Sequence, residues 1–450
     1  MLLNRSSIKT YLLCMWFISI SMLSYSVEAA VQTDGPMVGA VTHVRAKVFL
    51  RTDSPAQVQI EYSTSSDMSN SSKTLKEVTR YANDFTKIIT LKGLKPSTKY
   101  YYRVLVDNVA QQTENYPSFT TFAPTGQDAE FSFGLLSDVG NYVKNPAGAY
   151  KTLADSEPDF VLQIGDWDHR DPANLREMRK MHRDVRGSSS DAGADFSQFL
   201  APVAPLFHMW DDHDYGMNDG DYTFPEKASA IKAFLEYYPL PDDLPNPQAG
   251  PWYKFRYSQA EFFVLDTRSN RDPNGDVDDA NKSMLDGENI ENDQKTWLYD
   301  SLLTSPAKWK FITSGSPFNP TCKPADGWGA FVNEHDEIVN FIKDNNIKGV
   351  IILSGDIHSG GALDDGTNSG LIEFSVPHTN MQMSPANGGF TTTTPGDWSE
   401  YLNPGVSAGG SSNAGFGWIN VLTNPDRVEI QVVHENGDVA NSDTIIFDEM

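Results

Sequence analysis

The stretch EPDFVLQIGDWDH (157–169) has the pattern of a buried strand in an α/β domain. A short and mostly apolar run ends in Gly165 and Asp166. The same arrangement occurs earlier in FSFGLLSD (131–138), and the helix-compatible segment PAGAYKTLADS (146–156) lies between the two. This order of strand, helix and strand predicts α/β layering, with polar side chains at the carboxyl ends of the strands.

The pattern recurs further along the chain. KWKFITSGS (308–316) and IKGVIILSGD (347–356) each follow a helical stretch and end in small or polar residues. Residues 371–450 then return to short strands such as GFGWINVLT and RVEIQVVHE. We therefore predict that residues 130–450 form a mixed β core with flanking helices.

Residues 30–124 have an all-β pattern. Four segments alternate in polarity or are rich in β-branched and aromatic residues: 46–53, 58–63, 85–91 and 100–106. A tyrosine near the start of the last segment can return its hydroxyl to upstream backbone, as in immunoglobulin-like sandwiches. The region resembles a fibronectin type III module, and FAPTGQDAE (122–130) is interpreted as the linker that follows it.

The N-terminus has the composition of a secretory signal peptide. Arg5 and Lys9 precede an apolar stretch over residues 11–25, and VEA (27–29) offers small residues for cleavage. We predict that residues 1–29 are removed, which gives a secreted or periplasmic protein with no stable membrane span. A retained anchor helix is the alternative, although the apolar run is short for one.

The formal net charge is −25, from 35 Lys and Arg against 60 Asp and Glu. Nucleic acids and anionic membranes bind basic surfaces, so we expect no nucleic-acid-binding domain in so acidic a chain. Acidity does not exclude a phosphorylated substrate, because bound cations reverse the field locally. The sequence leaves the oligomeric state open.

Four clusters of Asp and His follow predicted strands or lie in the loops after them. They are Asp138, Asp166 with His169, the run DDHD (211–214), and Asp356 with His358. Such side chains bind divalent or trivalent cations, and one Asp can bridge two ions roughly 3.5–4 Å apart. Taken singly, each cluster also suits a turn, a helix cap, an acidic loop or a hydrogen-bonded core histidine. At the strand ends of one α/β domain, they together predict a metal site.

These motifs resemble the binuclear metallophosphoesterase superfamily and, within it, the PhoD-like (alkaline phosphatase D) family. PhoD-like members carry Trp-Asp-Asp-His-Glu and Leu-Ser-Gly-Asp-x-His-Ser, and this chain has WDDHD (210–214) and LSGDIHS (353–359). LDTRSNR (265–271) and DGWGAF (326–331) look like further family blocks. The resemblance implies a fibronectin type III-like domain followed by an α/β catalytic domain with αββα-sandwich layering.

The resemblance also implies roles for single residues. Asp166 would be the bridging metal ligand, and His213 occupies the slot of the catalytic histidine. The other implied metal ligands are Asp138, His169, Asp212, Asp356 and His358. Asn218 would reach the metal or the phosphate, and Arg268 and Arg271 suit phosphate oxygens because a guanidinium binds them bidentately. For the two arginines, surface pairing with local Asp residues is the alternative.

Two positions depart from the family pattern. Many PhoD-like enzymes carry a cysteine in place of Asp138 and a tyrosine in place of His169, and these residues would hold ferric iron. A carboxylate and an imidazole suit Ca, Mn, Zn or Mg, so we expect two or more such ions, with iron disfavoured. After signal cleavage, Cys322 is the sole cysteine, which excludes an internal disulfide. We interpret it as a quiet, partly buried thiol, although it is the one residue that would restore an iron–thiolate centre.

The resulting hypothesis is an exported phosphoric ester hydrolase. It would cleave phosphomonoesters, phosphodiesters or both, with a small phosphate ester as substrate and a metal-activated hydroxide as nucleophile. The alternatives are hydrolysis of another ester class on the same centre and a non-catalytic, metal-binding adhesion protein. Exchange of His213 would separate enzyme from adhesion protein, because adhesion does not need a proton donor.

Overall fold

The structure is a computed structural model and describes residues 29–139, 148–187, 191–287, 293–358, 361–379 and 414–450. Within these ranges, no helix has both the length and the hydropathy needed to cross a membrane. The predicted signal peptide lies outside the described residues, apart from Ala29. Cleavage, export and the retained-anchor alternative therefore stay predictions.

The described chain forms strands throughout its length, with α-helices from residue 148 onward. The strands are β1 (Gln32–Gly39), β2 (Arg45–Thr52), β3 (Gln57–Ser63), β4 (Ser72–Lys73), β5 (Glu77–Val78), β6 (Thr86–Lys92), β7 (Lys99–Val106), β8 (Val109–Ala110), β9 (Ser118–Thr120), β10 (Phe131–Leu136), β11 (Phe160–Ile164), β12 (Leu206–Met209), β13 (Tyr253–Tyr257), β14 (Ala260–Val264), β15 (Trp309–Ser314), β16 (Val350–Ser354), β17 (Ala362–Asp364), β18 (Ile372–Ser375), β19 (Gly415–Leu422), β20 (Arg427–His434) and β21 (Val439–Ile446). The helices are α1 (Gly148–Asp155), α2 (Leu175–Asp184), α3 (Asp191–Asp195), α4 (Asp212–Tyr215), α5 (Lys227–Tyr237), α6 (Gln294–Thr304) and α7 (Val332–Asp344).

Two mixed sheets form the centre of the molecule. The first has nine strands in the order β21-β20-β19-β10-β11-β12-β1-β2-β6, and β10, β11 and β12 run parallel to one another. The second has the order β13-β14-β15-β16-β18-β17, with β14, β15, β16 and β18 parallel. The prediction of a mixed β core is confirmed. The core consists of two sheets that face each other.

Alternation along the strands of the second sheet explains how the layers stack. One set of side chains faces the first sheet and belongs to the larger core: Phe262, Phe311 and Ile351. Their chain neighbours pack against residues of α6 and α7: Phe263, Ile312 and Ile352. The ring of Phe133 in the first sheet lies 5.2 Å from that of Phe262, which joins the two sheets. Because strand side chains alternate between faces, the second sheet contributes side chains to both hydrophobic cores.

The N-terminal region continues the first sheet instead of standing apart. Gly39 of β1 pairs in parallel with Leu206 of β12, and β3 and β7 belong to a separate small sheet. The hydroxyl of Tyr100 accepts a hydrogen bond from the backbone N–H of Lys95 at 2.9 Å, as anticipated for a tyrosine corner. Phe122, at the start of the predicted linker, is buried. The two regions thus share a sheet and a core, and the domain boundaries stay a prediction.

Candidate metal centre

The centre lies where the carboxyl ends of strands from both sheets meet, and two glycines permit this approach. A Cβ on Gly355 would lie 2.5 Å from both the carbonyl oxygen of Ile164 and Oγ of Ser137. Gly165 has a φ of +68°, and its Cβ would lie 2.7 Å from the Cβ of Asp211. Gly165-Asp166 and Gly355-Asp356 therefore mark two places where no larger residue fits in front of the aspartate.

Four of the predicted ligand residues adopt the left-handed backbone conformation at these strand ends. They are Asp138, Asp166, Asp356 and His358, with φ between 51° and 56°. Non-glycine residues pay a conformational cost there, and such residues cluster at functional sites. The turn after each strand aims these side chains toward one shared volume.

The first potential ligand group contains Asp138, Asp166, His169 and His358. One ligand atom from each lies within 4.8 Å of the others. His169 Nε2 is 3.6 Å from Asp166 Oδ2 and 3.9 Å from Asp138 Oδ1, while His358 Nε2 is 3.3 Å from Asp138 Oδ1. The structure thus brings together four residues that the sequence placed in three separate motifs.

A second group shares a member with the first. It consists of Asp166, Asp212 and His213, again with ligand atoms within 4.8 Å. Asp166 belongs to both groups, which is the arrangement a bridging carboxylate requires. A third group joins Asp212 to Asp219 and Asp326.

The unpaired atoms of the first group match the needs of a cation. Five buried atoms there have no hydrogen-bond partner: both carboxylate oxygens of Asp166, Oδ1 of Asp138, Nε2 of His169 and Nε2 of His358. Buried polar atoms without partners are costly, so their convergence calls for a bound species. Carboxylate oxygens and imidazole nitrogens are the donors that Mn, Zn and related cations accept. The residues therefore fit metal ions.

The electrostatics of the group also favour a cation. Burial, together with the carboxylates of Asp212 and Asp211, raises the pKa of Asp166 well above its usual range. Burial alone would raise the pKa of Asp138, yet the nearby His358 and His169 hold it at about 2. Burial lowers the pKa of His169 to about 4, so its imidazole is neutral and able to bind metal at neutral pH. A bound cation would relieve the repulsion that Asp166 experiences.

Asp212 and Asp214 of the WDDHD block make different contacts. Asp212 accepts the backbone N–H of Asp219 at Oδ2, at 2.7 Å, and lies in the second ligand group. Asp214 accepts the backbone N–H groups of Trp167 at 3.0 Å and of Asp211 at 3.2 Å, which ties the loop after β11 to the loop after β12. The block therefore combines a predicted metal ligand, Asp212, with the carboxylate of Asp214, which holds the two loops together.

His213 forms a dyad with the carboxylate of Asp171, which is itself exposed. Its Nδ1 lies 2.6 Å from Oδ1 of Asp171, and its side chain is 12% exposed. Burial would lower the pKa of His213, but Asp212 and Asp171 raise it above the usual value. Because this contact uses Nδ1, a role as proton donor or metal ligand would fall to Nε2.

The two predicted substrate-binding arginines are buried, with 0% side-chain exposure. Arg268 Nη2 donates to Asp211 Oδ2 at 3.0 Å and to Ser316 Oγ at 2.8 Å, and Nη1 donates to Asp326 Oδ1 at 3.2 Å. The alternative of pairing at the surface is wrong, because Arg268 pairs with Asp residues inside the protein. Its role toward substrate stays a prediction, and its burial does not favour direct contact.

Arg271 is also buried and bonded to internal partners. Its Nη2 donates to the backbone carbonyl of Asp326 at 2.6 Å, and its guanidinium lies over the ring of Phe331 at 5.0 Å. Burial and the charge of Arg268 lower the pKa of Arg271 to about 10. The side chain supports the loop that carries Asp326.

We expect Arg268→Met to destabilise the protein by about 3–5 kcal/mol, because it leaves the buried carboxylate of Asp211 without its counterion. Urea unfolding of metal-free protein measures the change. Arg45→Met is the matched control, since Arg45 is 54% exposed and 3.9 Å from Asp242, and should cost less than about 1 kcal/mol. Equal losses in the two variants would contradict the structural role of Arg268.

Two predicted residues lie beside the ligand groups. Asp356 Oδ1 is 3.2 Å from His358 Nε2, while its Oδ2 contacts Nζ of Lys323. Among the described residues, the three ligand groups do not include Asp356. Asn218 lies in the exposed turn after α4. The ligand role of Asp356 and the substrate role of Asn218 stay predictions.

Four charged side chains at the centre had no role in the sequence-based prediction: Asp171, Asp219, Lys323 and Asp326. Asp171 lies two residues after His169 of the second motif, and Asp326 begins the DGWGAF block, so motif proximity was the available signal. Lys323 and Asp219 lie in loops without a local pattern that distinguishes them.

Cys322 is a free, buried thiol that packs with Ile357 and Ala362. Burial raises its pKa well above the usual value, which keeps the sulfur protonated. It belongs to none of the ligand groups found among the described residues. This placement agrees with the quiet thiol that we predicted.

Comparison with known proteins identifies the family. The PhoD-like phosphatase family profile matches residues 140–431, and a domain of unknown function, DUF7800, matches residues 31–123. Alkaline phosphatase D of Bacillus subtilis (strain 168) is 28% identical over 315 residues, which cover 59% of this chain and 52% of that protein. A purple acid phosphatase of Glycine max is 23% identical over 240 residues, covering 52% of this chain and 47% of that protein. The chain thus spans about half the length of the curated relatives it matches.

Solved structures share the fold. A structure of PhoD superposes with a TM-score of 0.70 at 19% identity, covering 91% of this chain and 88% of the other. Purple acid phosphatase PPD1 from yellow lupin (Lupinus luteus) seeds superposes with a TM-score of 0.57 at 13% identity, covering 93% and 74%. The predicted resemblance is confirmed: with 140–431 matched by the family profile and the fold shared, this chain belongs to the PhoD-like phosphatase family.

Proposed function

We propose that this protein is a metal-dependent hydrolase of phosphate esters. The observation that carries the proposal is the position of Asp166 in two adjoining ligand groups, with both of its oxygens buried and unpaired. Membership of a phosphatase family supports the same conclusion. A metal-binding adhesion protein would use the same clustered ligands, but it would not need the proton donor that the His213–Asp171 pair offers.

The residues of the chain divide the chemistry among themselves. Asp138, Asp166, His169 and His358 would hold one cation, and Asp212 would share a second with Asp166. When bound, cations at these ligands would offset the charge of the phosphoryl group and make a water molecule in the site more acidic. His213 would donate a proton to the departing oxygen, and Asp171 would hold its ring in the required orientation.

The donor set supports ions other than iron. Carboxylates and imidazoles suit Ca, Mn, Zn or Mg, whereas a ferric centre of the family type would use a thiolate and a phenolate. Asp138 and His169 occupy those two positions. We therefore propose that two or more ions of this set bind and that iron does not.

Protein purified without added metal should be colourless, because no thiolate or phenolate is available to give a charge-transfer band. The visible spectrum and iron content measure this, and reconstitution of the apo form with Mn, Zn or Ca should restore turnover. Cys322→Ser is the control. Stoichiometric iron with a visible band that disappears in this variant would contradict the proposal.

The N-terminal part of the chain supports two further proposals. An apolar segment over residues 11–25 would direct export, so the protein would act outside the cytoplasm. The β-sheet region before residue 124 would be a fibronectin type III-like module, for which the tyrosine corner at Tyr100 is the supporting contact.

The test of the proposed function is turnover of phosphate esters by the full chain. A phosphomonoester and a phosphodiester with the same leaving group are assayed before chelation, after chelation and after each metal is returned. We expect activity that is lost on chelation and restored by metal. Metal binding without turnover of either ester would refute the proposal and favour another ester class or a binding protein.

A further inference from the structure

We propose that Lys323 binds the phosphoryl group of the substrate and gives the site a preference for phosphomonoesters over phosphodiesters. The proposal rests on the proposed function, and it narrows the substrate class that the family leaves open. A phosphomonoester carries up to two negative charges near neutral pH, whereas a diester carries one. An ammonium group beside the ligand groups would therefore attract the two substrates with different strength.

Lys323 lies on the segment that follows β15, at the edge of the ligand groups. Its Nζ contacts Oδ2 of Asp356 and lies 3.7 Å from Oδ2 of Asp326. Asp326 also belongs to the third ligand group, with Asp212 and Asp219. The ammonium is therefore next to carboxylates at the ligand groups, where a phosphoryl group bound to the metal ions would lie.

Exposure separates Lys323 from the other two cationic side chains described around Asp326. Arg268 and Arg271 are 0% exposed, whereas the side chain of Lys323 is 21% exposed. Arg268 uses its N–H groups on internal partners such as Asp211. An incoming phosphate can thus meet the Lys323 ammonium without unfolding the surrounding structure, and it cannot meet either guanidinium in this way.

The carboxylates beside Lys323 do not depend on it alone. Asp356 also lies 3.2 Å from His358 Nε2. Asp326 lies 3.2 Å from Arg268 Nη1 and 3.6 Å from Arg271 Nη2. Both carboxylates keep a cationic or imidazole neighbour when the ammonium turns toward a ligand. A lysine combines a flexible stem with a point charge, which suits such a movement.

The backbone segment that leads to Lys323 is held by hydrogen bonds to a residue of the second sheet. The buried carboxylate of Glu373 accepts the backbone N–H groups of Phe318 and Asn319, each at 2.7 Å. The second sheet therefore holds the start of this segment in place, and the long side chain of Lys323 extends from the segment to Asp356.

The competing explanation is that Lys323 is a built-in counterion that takes the place of a metal ion on Asp356. In that case its removal would admit an additional cation and would affect both ester classes alike. The two explanations therefore differ in metal content and in substrate selectivity.

The experiment compares Lys323→Gln and Lys323→Arg with the unmodified full chain after metal loading. Turnover of 4-nitrophenyl phosphate and of methyl 4-nitrophenyl phosphate is measured, because both release the same leaving group. We expect Lys323→Gln to lower kcat/KM by about 10- to 100-fold for the monoester and by less than about 3-fold for the diester. Lys323→Arg should retain most of the preference, since it keeps the charge.

Two further readouts do not depend on turnover. Calorimetry should show inorganic phosphate binding to the metal-loaded protein about 10-fold or more weakly in Lys323→Gln. Mass spectrometry should find the same number of metal ions per chain. Lys308→Gln is the matched control, because Lys308 also pairs with two Asp residues, Asp128 and Asp426, and neither belongs to a ligand group found among the described residues. It should leave all three quantities unchanged.

Equal losses for the two esters, or one additional metal ion per chain in Lys323→Gln, would overturn the proposal while leaving the phosphoesterase function intact. Absence of turnover by the unmodified, metal-loaded chain on either ester would instead refute the proposed function. Lys323→Met, which keeps the apolar stem, repeats the comparison if glutamine is not tolerated at this position.

Discussion

Asp166→Asn is expected to remove at least one metal ion per chain and nearly all turnover. The carboxylate of Asp166 lies in both ligand groups, so its loss weakens two cation positions together. A unit charge about 4 Å from a cation contributes on the order of 4 kcal/mol at an effective dielectric constant of 20, or roughly three powers of ten in affinity. Metal content by mass spectrometry and ester turnover measure the two effects.

Stability should change in opposite directions with and without metal. In the apo protein, burial and neighbouring carboxylates raise the pKa of Asp166, so ionised Asp166 is unfavourable at neutral pH and Asn should raise the melting temperature. In the metal-loaded protein, the same substitution should abolish the stabilisation that metal confers. Thermal unfolding of the apo and the metal-loaded protein measures the two changes in melting temperature.

Asp168→Asn is the matched control, because Asp168 is equally buried at the same strand end but pairs with Arg170 at 2.6 Å. It should keep the metal. Full metal content together with normal turnover in Asp166→Asn would show that the bridging assignment is wrong.

His213→Ala is expected to keep the metal and to lower turnover by on the order of 10²- to 10⁴-fold, the usual contribution of a general acid. The dyad with Asp171 holds the ring, and the raised pKa of His213 keeps the imidazole protonated over a wider pH range. The loss should shrink for esters whose leaving groups need little protonation. Turnover of a series of aryl esters of increasing acidity measures the trend.

Asp171→Asn provides the graded comparison, since it keeps the shape of the dyad and removes its charge. Its loss should be smaller than that of His213→Ala, with unchanged metal content. His213 also lies within 4.8 Å of Asp166 and Asp212, so a role as metal ligand is the specific competitor. Loss of metal in His213→Ala, or equal losses for all leaving groups, would favour that competitor.

Local patterns predicted much of the centre. The apolar runs that end in Gly165-Asp166 and Gly355-Asp356 correspond to β11 and β16, and Asp138 follows β10 as expected. The structure brings Asp138, Asp166, His169 and His358 together from separate motifs. The environment of the arginines could not be predicted in this way. Arg268 contacts Asp211 across 57 residues of sequence, and no local pattern records that the site of contact is sealed from solvent.

The sequence by itself determined the order of strands and helices, the motifs of the PhoD-like family and the residue types at the strand ends. These properties are local: side-chain alternation, the conformational freedom of glycine and the chemistry of Asp and His act over a few residues. Only the tertiary structure decided that the N-terminal strands extend the first sheet, that Arg268 and Arg271 are buried, and that Lys323 reaches Asp356 from another loop. These outcomes depend on how two sheets pack face to face, and the packing joins residues whose distance along the chain carries no information about their distance in space.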